Sequence, residues 1–151
     1  MFDRSSSYSS AKKHRDLEHE AKERLKAFGS KTEFIKGRVN VIAKEFANES
    51  LDFIYLDARH DYCAVFIDLR TWWPKLKPGG IFAGHDYLSD QEVPGQDWSL
   101  CEDGRREHGA VQRAVDEFAM QNGLIVSVMY RETAWNSYMM LKPVPVSVRN
   151  D

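Results

Sequence analysis

The sequence predicts an α/β sandwich with a mainly parallel sheet and a C-terminal antiparallel hairpin. Segments with a helical spacing of apolar residues alternate with short apolar runs that are rich in β-branched and aromatic residues. This alternation is typical of a parallel sheet covered by helices. Near the C-terminus, however, two such runs are joined only by the connection RETA, which indicates an antiparallel pair.

The composition fits one ordinary globular domain of 151 residues. Its 21 basic and 23 acidic side chains give a formal net charge of −2. This balance does not indicate a basic surface for binding nucleic acid or anionic lipid. The N-terminus lacks the apolar core of a secretory signal, and no apolar run approaches the ~20 residues of a membrane span. We therefore expect a cytoplasmic protein without nucleic-acid or membrane partners.

The two cysteines, Cys63 and Cys101, lie far apart in the sequence. They belong to no metal-ligand or redox spacing. We expect two reduced thiols, as is usual in cytosolic proteins.

The N-terminal part is predicted to hold a charged helix, a short strand and a second short helix. Residues 1–9 are rich in serine and are expected to be a disordered tail ahead of one partial domain at residues 10–142. Apolar spacing predicts the first helix over Ser10–Phe28. The strand is predicted over Thr32–Lys36 and the second helix over Val39–Phe46.

The middle of the chain has the clearest pattern. Leu51–Asp57 is a near-continuous apolar run of the kind found in buried parallel strands. A helix with a wide apolar stripe is predicted over Tyr62–Leu76, with Pro74 bending or ending its last turn. Lys77–Gly80 is typical of a tight turn into a second buried strand, IFAG, which finishes at His85-Asp86.

The C-terminal part begins with a long polar loop at residues 87–108, and loops of this length are usually functional lids or disordered. A helix is predicted over Gly109–Gln121. The two strands of the terminal hairpin are predicted over Leu124–Tyr130 and Trp135–Lys142, followed by a C-terminal tail at residues 143–151.

Acidic residues and histidines follow both buried strands. Asp57 and His60 come after the first strand, and His85 and Asp86 come after the second. If the strands are parallel neighbours, Asp57 and Asp86 lie roughly one strand spacing apart, about 5 Å. Two carboxylates at that distance repel unless a cation or a proton lies between them, which favours an oxygen-liganded ion such as Mg²⁺.

These side chains have alternative interpretations. His60 or His85 can be a metal ligand or a base, because imidazole titrates near neutral pH. Asp57 can instead cap a following turn, and Asp61 can be the N-cap of the helix that begins at Tyr62.

The stretch SLDFIYLDARHDYCAVFIDLRTWWPKLKPGGIFAGHDY resembles the fourth and fifth strands of class I S-adenosylmethionine-dependent methyltransferases. It is similar in particular to the subgroup with a D-x-x-H-x-Y-x-x-V-x-x-D-L block and an L-K-P-G-G…G-H-D-Y ending. The resemblance continues through GAVQRAVDEFA and covers roughly residues 32–142. It implies an incomplete Rossmann-like sandwich.

The resemblance implies transfer of a methyl group from S-adenosylmethionine to a hydroxyl or similar nucleophile of a small-molecule acceptor. Related metal-dependent enzymes hold Mg²⁺ with acids at positions that match Asp57 and Asp86. His60 then becomes the candidate base. His85 stands where such enzymes carry an acid, which favours another divalent metal, or an acid/base role for His85 without metal. The candidates for substrate binding are Tyr62, Tyr87 and Trp98.

The family's cofactor-binding end has no counterpart in the sequence. The family binds S-adenosylmethionine with a Gly-rich loop after its first strand, and no G-x-G precedes residue 32. In the family's sheet the two absent strands lie between the third and the fourth. Thr32–Lys36 therefore either loses its partner or moves beside Leu51–Asp57. A bare edge at Leu51–Asp57 would favour a homo-oligomer.

Three functions remain open at this point. The first is a methyltransferase-family domain whose cofactor site is complete or supplied by a partner chain. The second is a truncated or degenerate pseudoenzyme that acts as a binding module. The third is a metal-dependent hydrolase that uses the acids and histidines at the strand ends.

Overall fold

The computed structural model describes residues 4–129 and 135–145, with side chains from residue 15 onward. Residues 1–36 and 37–151 form two separate units. The RETA connection, residues 1–3 and the end of the C-terminal tail lie outside the described residues. None of the described helices is long and apolar enough to span a bilayer.

The first unit is built on one long charged helix, α1, at Arg4–Leu25, followed by a 3-10 segment at Lys26–Lys31. Ion pairs join Glu18 to Lys22 and Glu20 to Arg24 at the i,i+4 spacing expected for helix neighbours. The predicted strand at residues 32–36 is wrong, since this segment has no regular secondary structure. A strand needs a hydrogen-bonding partner, and the described residues provide none here.

The second unit contains a four-stranded sheet with the order β1-β2-β4-β3. The strands are β1 at Leu51–Leu56, β2 at Leu76–Gly84, β3 at Ser127–Met129 and β4 at Ser137–Leu141. The β1–β2 pair is parallel, whereas β4 pairs antiparallel with both β2 and β3. The sheet is thus parallel at one end and closes on an antiparallel hairpin, which confirms the predicted fold class.

The helices of the second unit lie close to their predicted positions. They are α2 at Val39–Ile42, α3 at Tyr62–Trp72 and α4 at Ala110–Asn122, with 3-10 turns at Ala43–Glu45, Trp73–Lys75 and Asp90–Glu92. Pro74 lies in the 3-10 turn after α3, so the α-helix ends there as its missing N–H requires. Gly123 ends α4 in the left-handed conformation.

The predicted turn at residues 77–80 is instead part of β2. Leu76 pairs with Leu51, but the next paired residues are Phe53 and Ile81. The extra residues of β2 form a bulge in which Gly79 has a φ of +80°. Gly79 and Gly80 therefore belong to an irregular part of β2 and not to a separate turn.

One face of the sheet is covered by α3 and α4. The apolar side chains that fill this layer are fully buried: Val65 and Leu69 from α3, Val115 from α4, and Phe82, Tyr138 and Met140 from the sheet. Gly84 belongs to the same layer, because a Cβ at this position would lie 2.5 Å from the Tyr138 hydroxyl. This contact explains the glycine of the G-H-D-Y block.

The opposite face of the sheet keeps large apolar side chains exposed. Phe53 is 56% exposed and Tyr55 is 49% exposed, and Ile81 and Leu141 continue the same face across the neighbouring strands. Among the described residues β1 pairs only with β2, so its outer edge is free. This is the bare edge that the sequence led us to expect. Self-association through it stays a prediction.

Asp68 is a buried carboxyl group on α3, with only 7% of its surface exposed. Burial raises its pKa to about 6, and the negative charge of Asp61 adds to this effect, while Arg59 opposes it. The folded protein therefore binds a proton at Asp68 more tightly than the unfolded chain does. The contribution of Asp68 to the free energy of unfolding is therefore constant below the pKa of the unfolded chain. It falls as the pH rises from about 4 to about 6.

We predict that Asp68→Asn stabilises the protein at neutral and alkaline pH. Each pKa unit corresponds to about 1.4 kcal/mol, so the gain at pH 8 should be roughly 2 to 3 kcal/mol and should vanish near pH 3. Urea unfolding at several pH values measures it. Asp52→Asn, at a side chain that is 82% exposed, is the control and should change stability by less than about 0.5 kcal/mol. Equal effects at both pH extremes would contradict the argument.

We also predict that the free edge of β1 mediates reversible self-association. Phe53→Lys or Tyr55→Lys should shift the equilibrium toward monomer, because a charge on an edge strand opposes pairing with another strand. Sedimentation equilibrium over a range of concentrations measures this. The control is Ile125→Lys, at an apolar side chain that is 84% exposed but outside the sheet. A wild-type chain that stays monomeric throughout would refute the prediction.

Candidate active site at the carboxyl ends of β1 and β2

The parallel pairing of β1 and β2 brings their carboxyl ends to one place. Leu56, the last residue of β1, is the register partner of Gly84, the last residue of β2. The His85 N–H donates a hydrogen bond to the Leu56 carbonyl at 3.2 Å. Asp57 and Asp86 therefore leave the sheet side by side, as the sequence predicted.

Asp86 is the centre of the site. Its backbone is left-handed, with a φ of +59°, which is uncommon for a residue other than glycine but is seen for aspartate. Its carboxylate is nearly buried and contacts two imidazoles. Oδ1 lies 2.8 Å from Nδ1 of His85, and Oδ2 lies 2.7 Å from Nε2 of His60. One buried carboxylate thus orients both histidines.

The contact between His60 and Asp86 is close but is not a hydrogen bond. Nε2 is completely buried and makes no hydrogen bond to any described residue, although Oδ2 of Asp86 lies close to it. A second carboxylate oxygen, Oδ1 of Asp57, lies 3.7 Å from the same nitrogen. Buried polar atoms normally have partners. Nε2 therefore faces two carboxylate oxygens without a hydrogen bond to either.

Asp57, His60 and Asp86 form a group of side chains that could hold a metal ion. One ligand atom from each lies within 4.8 Å of the others. A cavity of about 10 Å³, the size of one water molecule, is lined by Asp57, His60 and His85. Two carboxylates and an imidazole suit a transition metal better than Mg²⁺, which prefers oxygen ligands. We call these three residues the acid–histidine cluster.

Asp61 has the capping role that the sequence offered as an alternative. Its side chain accepts a hydrogen bond from the Ala64 N–H at 3.1 Å and is the N-cap of α3. The Arg59 guanidinium donates to its other oxygen at 2.8 Å. Asp61 therefore fixes the loop that carries His60.

Trp98 lies against His60 rather than at an open surface. The two rings stack with their centroids 4.5 Å apart and an angle of 15° between their planes. Trp98 is 7% exposed, packs against Trp135 at 5.9 Å and donates from Nε1 to Gln96. The loop at residues 87–108 thus covers His60 with this ring. A contact between Trp98 and a substrate stays a prediction.

The two candidate tyrosines are bound to α4. The Tyr62 hydroxyl donates to Glu117 at 2.8 Å, and the Arg113 guanidinium lies 4.2 Å from the centre of its ring. The Tyr87 hydroxyl donates to Asp116. These bonds fix α3 and the start of the loop against α4. A role for either tyrosine in substrate binding stays a prediction.

The structure corrects the expectation of two reduced thiols, because Cys63 and Cys101 form a disulfide across 38 residues. The spacing of the cysteines carried no signal, since the fold of the loop brings their Cα atoms to 5.7 Å. Sequence reasoning also missed the buried carboxyl of Asp68. Its signal was available, because it is the last acid of the D-x-x-H-x-Y-x-x-V-x-x-D-L block.

A groove of about 300 Å³ runs along the outer edge of β1. Its walls are mostly apolar and include Phe46, Ile54 and Trp72. The Trp72 Nε1–H is buried in the structure without a hydrogen-bond partner among the described residues. Asp57 and Ala58 line both this groove and the small cavity beside His60. The groove and the small cavity beside His60 therefore lie on either side of the same chain segment.

Comparison with known proteins identifies a family for this chain. A family model described as a methyltransferase domain matches residues 3–87, more than half of the chain. No curated protein sequence matches the chain significantly.

The fold is similar to that of several solved structures. One is a protein from Corynebacterium glutamicum, with a TM-score of 0.62, 17% identity, and coverage of 89% of this chain and 59% of that one. A second is an O-methyltransferase family protein from Burkholderia thailandensis, with a TM-score of 0.59, 19% identity, and coverage of 85% and 41%. A third is a protein from Pyrococcus horikoshii, with a TM-score of 0.54, 19% identity, and coverage of 85% and 68%.

The chain thus spans less than two thirds of the length of the first two of these proteins. Because the matching family model covers more than half of its residues, the chain belongs to the class I S-adenosylmethionine-dependent methyltransferase family.

Proposed function

We propose that this chain takes part in the transfer of a methyl group from S-adenosylmethionine to a hydroxyl or similar nucleophile of a small molecule. The observation that carries the proposal is the acid–histidine cluster at the carboxyl ends of two parallel strands. Ligands of open α/β sheets bind at this end of the strands. The family to which the chain belongs supplies the reaction class.

His60 is the proposed base. An acceptor hydroxyl must lose its proton as the methyl group arrives, and a neutral imidazole nitrogen can take that proton. Nε2 of His60 is suited to this role because it has no hydrogen bond to any described residue. Asp86 holds the imidazole from one side and the Trp98 ring packs on its face, so the nitrogen is held in place.

A divalent metal fits the same cluster. Asp57 and Asp86 would hold it, and when bound it would lower the pKa of a nearby acceptor hydroxyl. His85 offers an alternative route without metal, since Asp86 engages its Nδ1 and fixes the orientation of the ring. The acid–histidine cluster could thus act with a bound metal or through its histidines alone. Removal of metal would abolish the reaction in the first case and not in the second.

We propose that the groove outside β1 receives the methyl donor. Its apolar walls and the buried N–H of Trp72 can accommodate a flat heteroaromatic ring and one acceptor atom. Because Asp57 lines both the groove and the cavity beside His60, a molecule in the groove would lie next to the cluster. Small-molecule sites are commonly apolar clefts with a few polar groups, which fits this groove.

A binding module without catalysis is the second candidate function. The cluster and the groove can bind ligands without catalysing a reaction, because a fold does not by itself specify a function. A metal-dependent hydrolase is a weaker alternative, because the acid–histidine cluster alone does not specify methyl transfer. Metal binding without any affinity for the cofactor would favour the hydrolase.

The first test is calorimetric titration of the purified chain with S-adenosylhomocysteine, the product form of the donor, with and without Mg²⁺ or Mn²⁺. We expect micromolar binding that the metal strengthens. A folded chain that binds neither cofactor nor metal would overturn the proposal and favour the binding module. Tight metal binding alone would point to the hydrolase.

We predict that Asp86→Asn and His60→Ala each weaken Mn²⁺ binding by at least about tenfold, because each removes one donor from the site. The same calorimetric titration with Mn²⁺ measures the change. His19→Ala, at an exposed histidine of α1, is the matched control and should leave binding unchanged. Equal losses in all three variants would show that the cluster does not hold the metal.

A further inference from the structure

We propose that the Cys63–Cys101 disulfide is a redox clamp that closes the loop at residues 87–108 over the acid–histidine cluster, and that its reduction opens the site. The inference rests on the proposed function, since it concerns access to the same cluster. It also makes a claim about the loop itself that can be tested without any ligand.

The covalent bond and the ring stack hold the same two segments together. Cys63 follows His60 by three residues, and Cys101 follows Trp98 by three residues. The disulfide joins the two segments at one end, and the stack of Trp98 on His60 joins them at the other. Closing the disulfide therefore keeps the Trp98 ring on His60.

In the closed loop, Trp98 covers one face of His60, and Nε2 of His60 is buried. The cavity beside His60 is only about 10 Å³, which accommodates a single water molecule or ion. Trp98 itself is buried on top of His60. A small-molecule hydroxyl can reach this buried nitrogen only if the groups around it, the Trp98 ring among them, move away.

The other contacts between the loop and the His60 segment are weak. Glu102 forms ion pairs with Arg59, at 3.4 Å, and with Arg38, and all three side chains are about half exposed or more. Exposed ion pairs contribute little to stability in water. The disulfide is the strong connection. It links two segments that are far apart in sequence and so restricts the conformational freedom of the chain between them. Its loss would leave the packing of Trp98 on His60 and Trp135, together with these ion pairs, to hold this part of the loop.

The disulfide is placed where a reductant can reach it. It lines an open surface cavity of about 410 Å³ together with Arg38, Arg59 and Arg105. Cys63 is partly exposed, whereas Cys101 is 3% exposed. The Arg105 guanidinium lies 4.0 Å from Sγ of Cys63, and a neighbouring cation favours the thiolate form.

The reaction is an exchange with a dithiol reductant. A thiolate of the reductant attacks Sγ of Cys63, the S–S bond breaks, and Cys101 leaves as a thiolate that takes up a proton. The second thiol of the reductant then attacks the mixed disulfide and releases Cys63. The protein gains two electrons and two protons as two thiols, and the dithiol becomes a cyclic disulfide.

Hydrogen–deuterium exchange followed by mass spectrometry tests the clamp directly. The full chain is compared in its oxidised form, after reduction with dithiothreitol, and as the Cys63→Ser/Cys101→Ser variant. We expect exchange of the amides at residues 96–106 and 58–62 to rise at least about tenfold on reduction, because the loop and the His60 segment lose their covalent link. Exchange in α4 and β2 should stay unchanged, and dithiothreitol should have no effect on the double variant.

Two outcomes of that experiment would overturn the proposal. Equal protection of residues 96–106 in the oxidised and reduced forms would show that the disulfide does not control the loop. A uniform rise over all segments would show that it supports the whole fold rather than the closed loop. Because the wild-type chain is tested with reductant alone, the conclusion does not depend on the folding of the double variant.

A second measurement separates this inference from the proposed function. Binding of Mn²⁺ and of S-adenosylhomocysteine is compared between the oxidised wild type and the double variant, both without reductant. At least about tenfold faster Mn²⁺ binding in the variant would show that opening the loop exposes the cluster. Equal rates would overturn the link between loop and site. If neither form binds either ligand but exchange still responds to reduction, the clamp stands and the proposed function fails.

Discussion

The parallel pairing of β1 with β2 is the constraint on which the rest of the site depends. The register of Leu56 with Gly84 sets two acids at neighbouring strand ends. Gly84 is required there because the Tyr138 ring occupies the space where its Cβ would lie. The packing of Gly84 against Tyr138 in the core is therefore coupled to the polar site that follows it in the chain. A shift of the strand register would separate Asp57 from Asp86.

The site concentrates unfavourable electrostatics in a small volume. Two carboxylates converge on one imidazole nitrogen that lacks a hydrogen bond among the described residues. On the neighbouring helix, burial raises the pKa of Asp68 to about 6. A protein tolerates such arrangements when a ligand, a metal or a proton compensates them, and they are common at functional sites.

In the second unit, helices cover only one face of the sheet. Helices α3 and α4 cover one face of the sheet, while the face with Phe53, Tyr55 and Leu141 keeps its apolar side chains exposed. Parallel sheets normally have both faces covered. The groove and the free edge of β1 belong to this uncovered region. The proposed donor groove and the predicted self-association therefore concern the same region of the sheet.

Local pattern alone determined most elements of the second unit and the position of its site. The apolar run of β1, the stripe of α3 and the hairpin at the end of the chain follow from periodicity, and parallel strands bring Asp57, His60, His85 and Asp86 together. Asp61 was identifiable as a helix cap for the same reason.

Features that depend on distant parts of the chain were decided only by tertiary structure. The segment at residues 32–36 does not form a strand without a partner, although its local pattern favours one. The disulfide and the stack of Trp98 on His60 join residues 38 positions apart. Sequence spacing carries no information on how a long loop folds back, because that path is selected by packing over the whole domain.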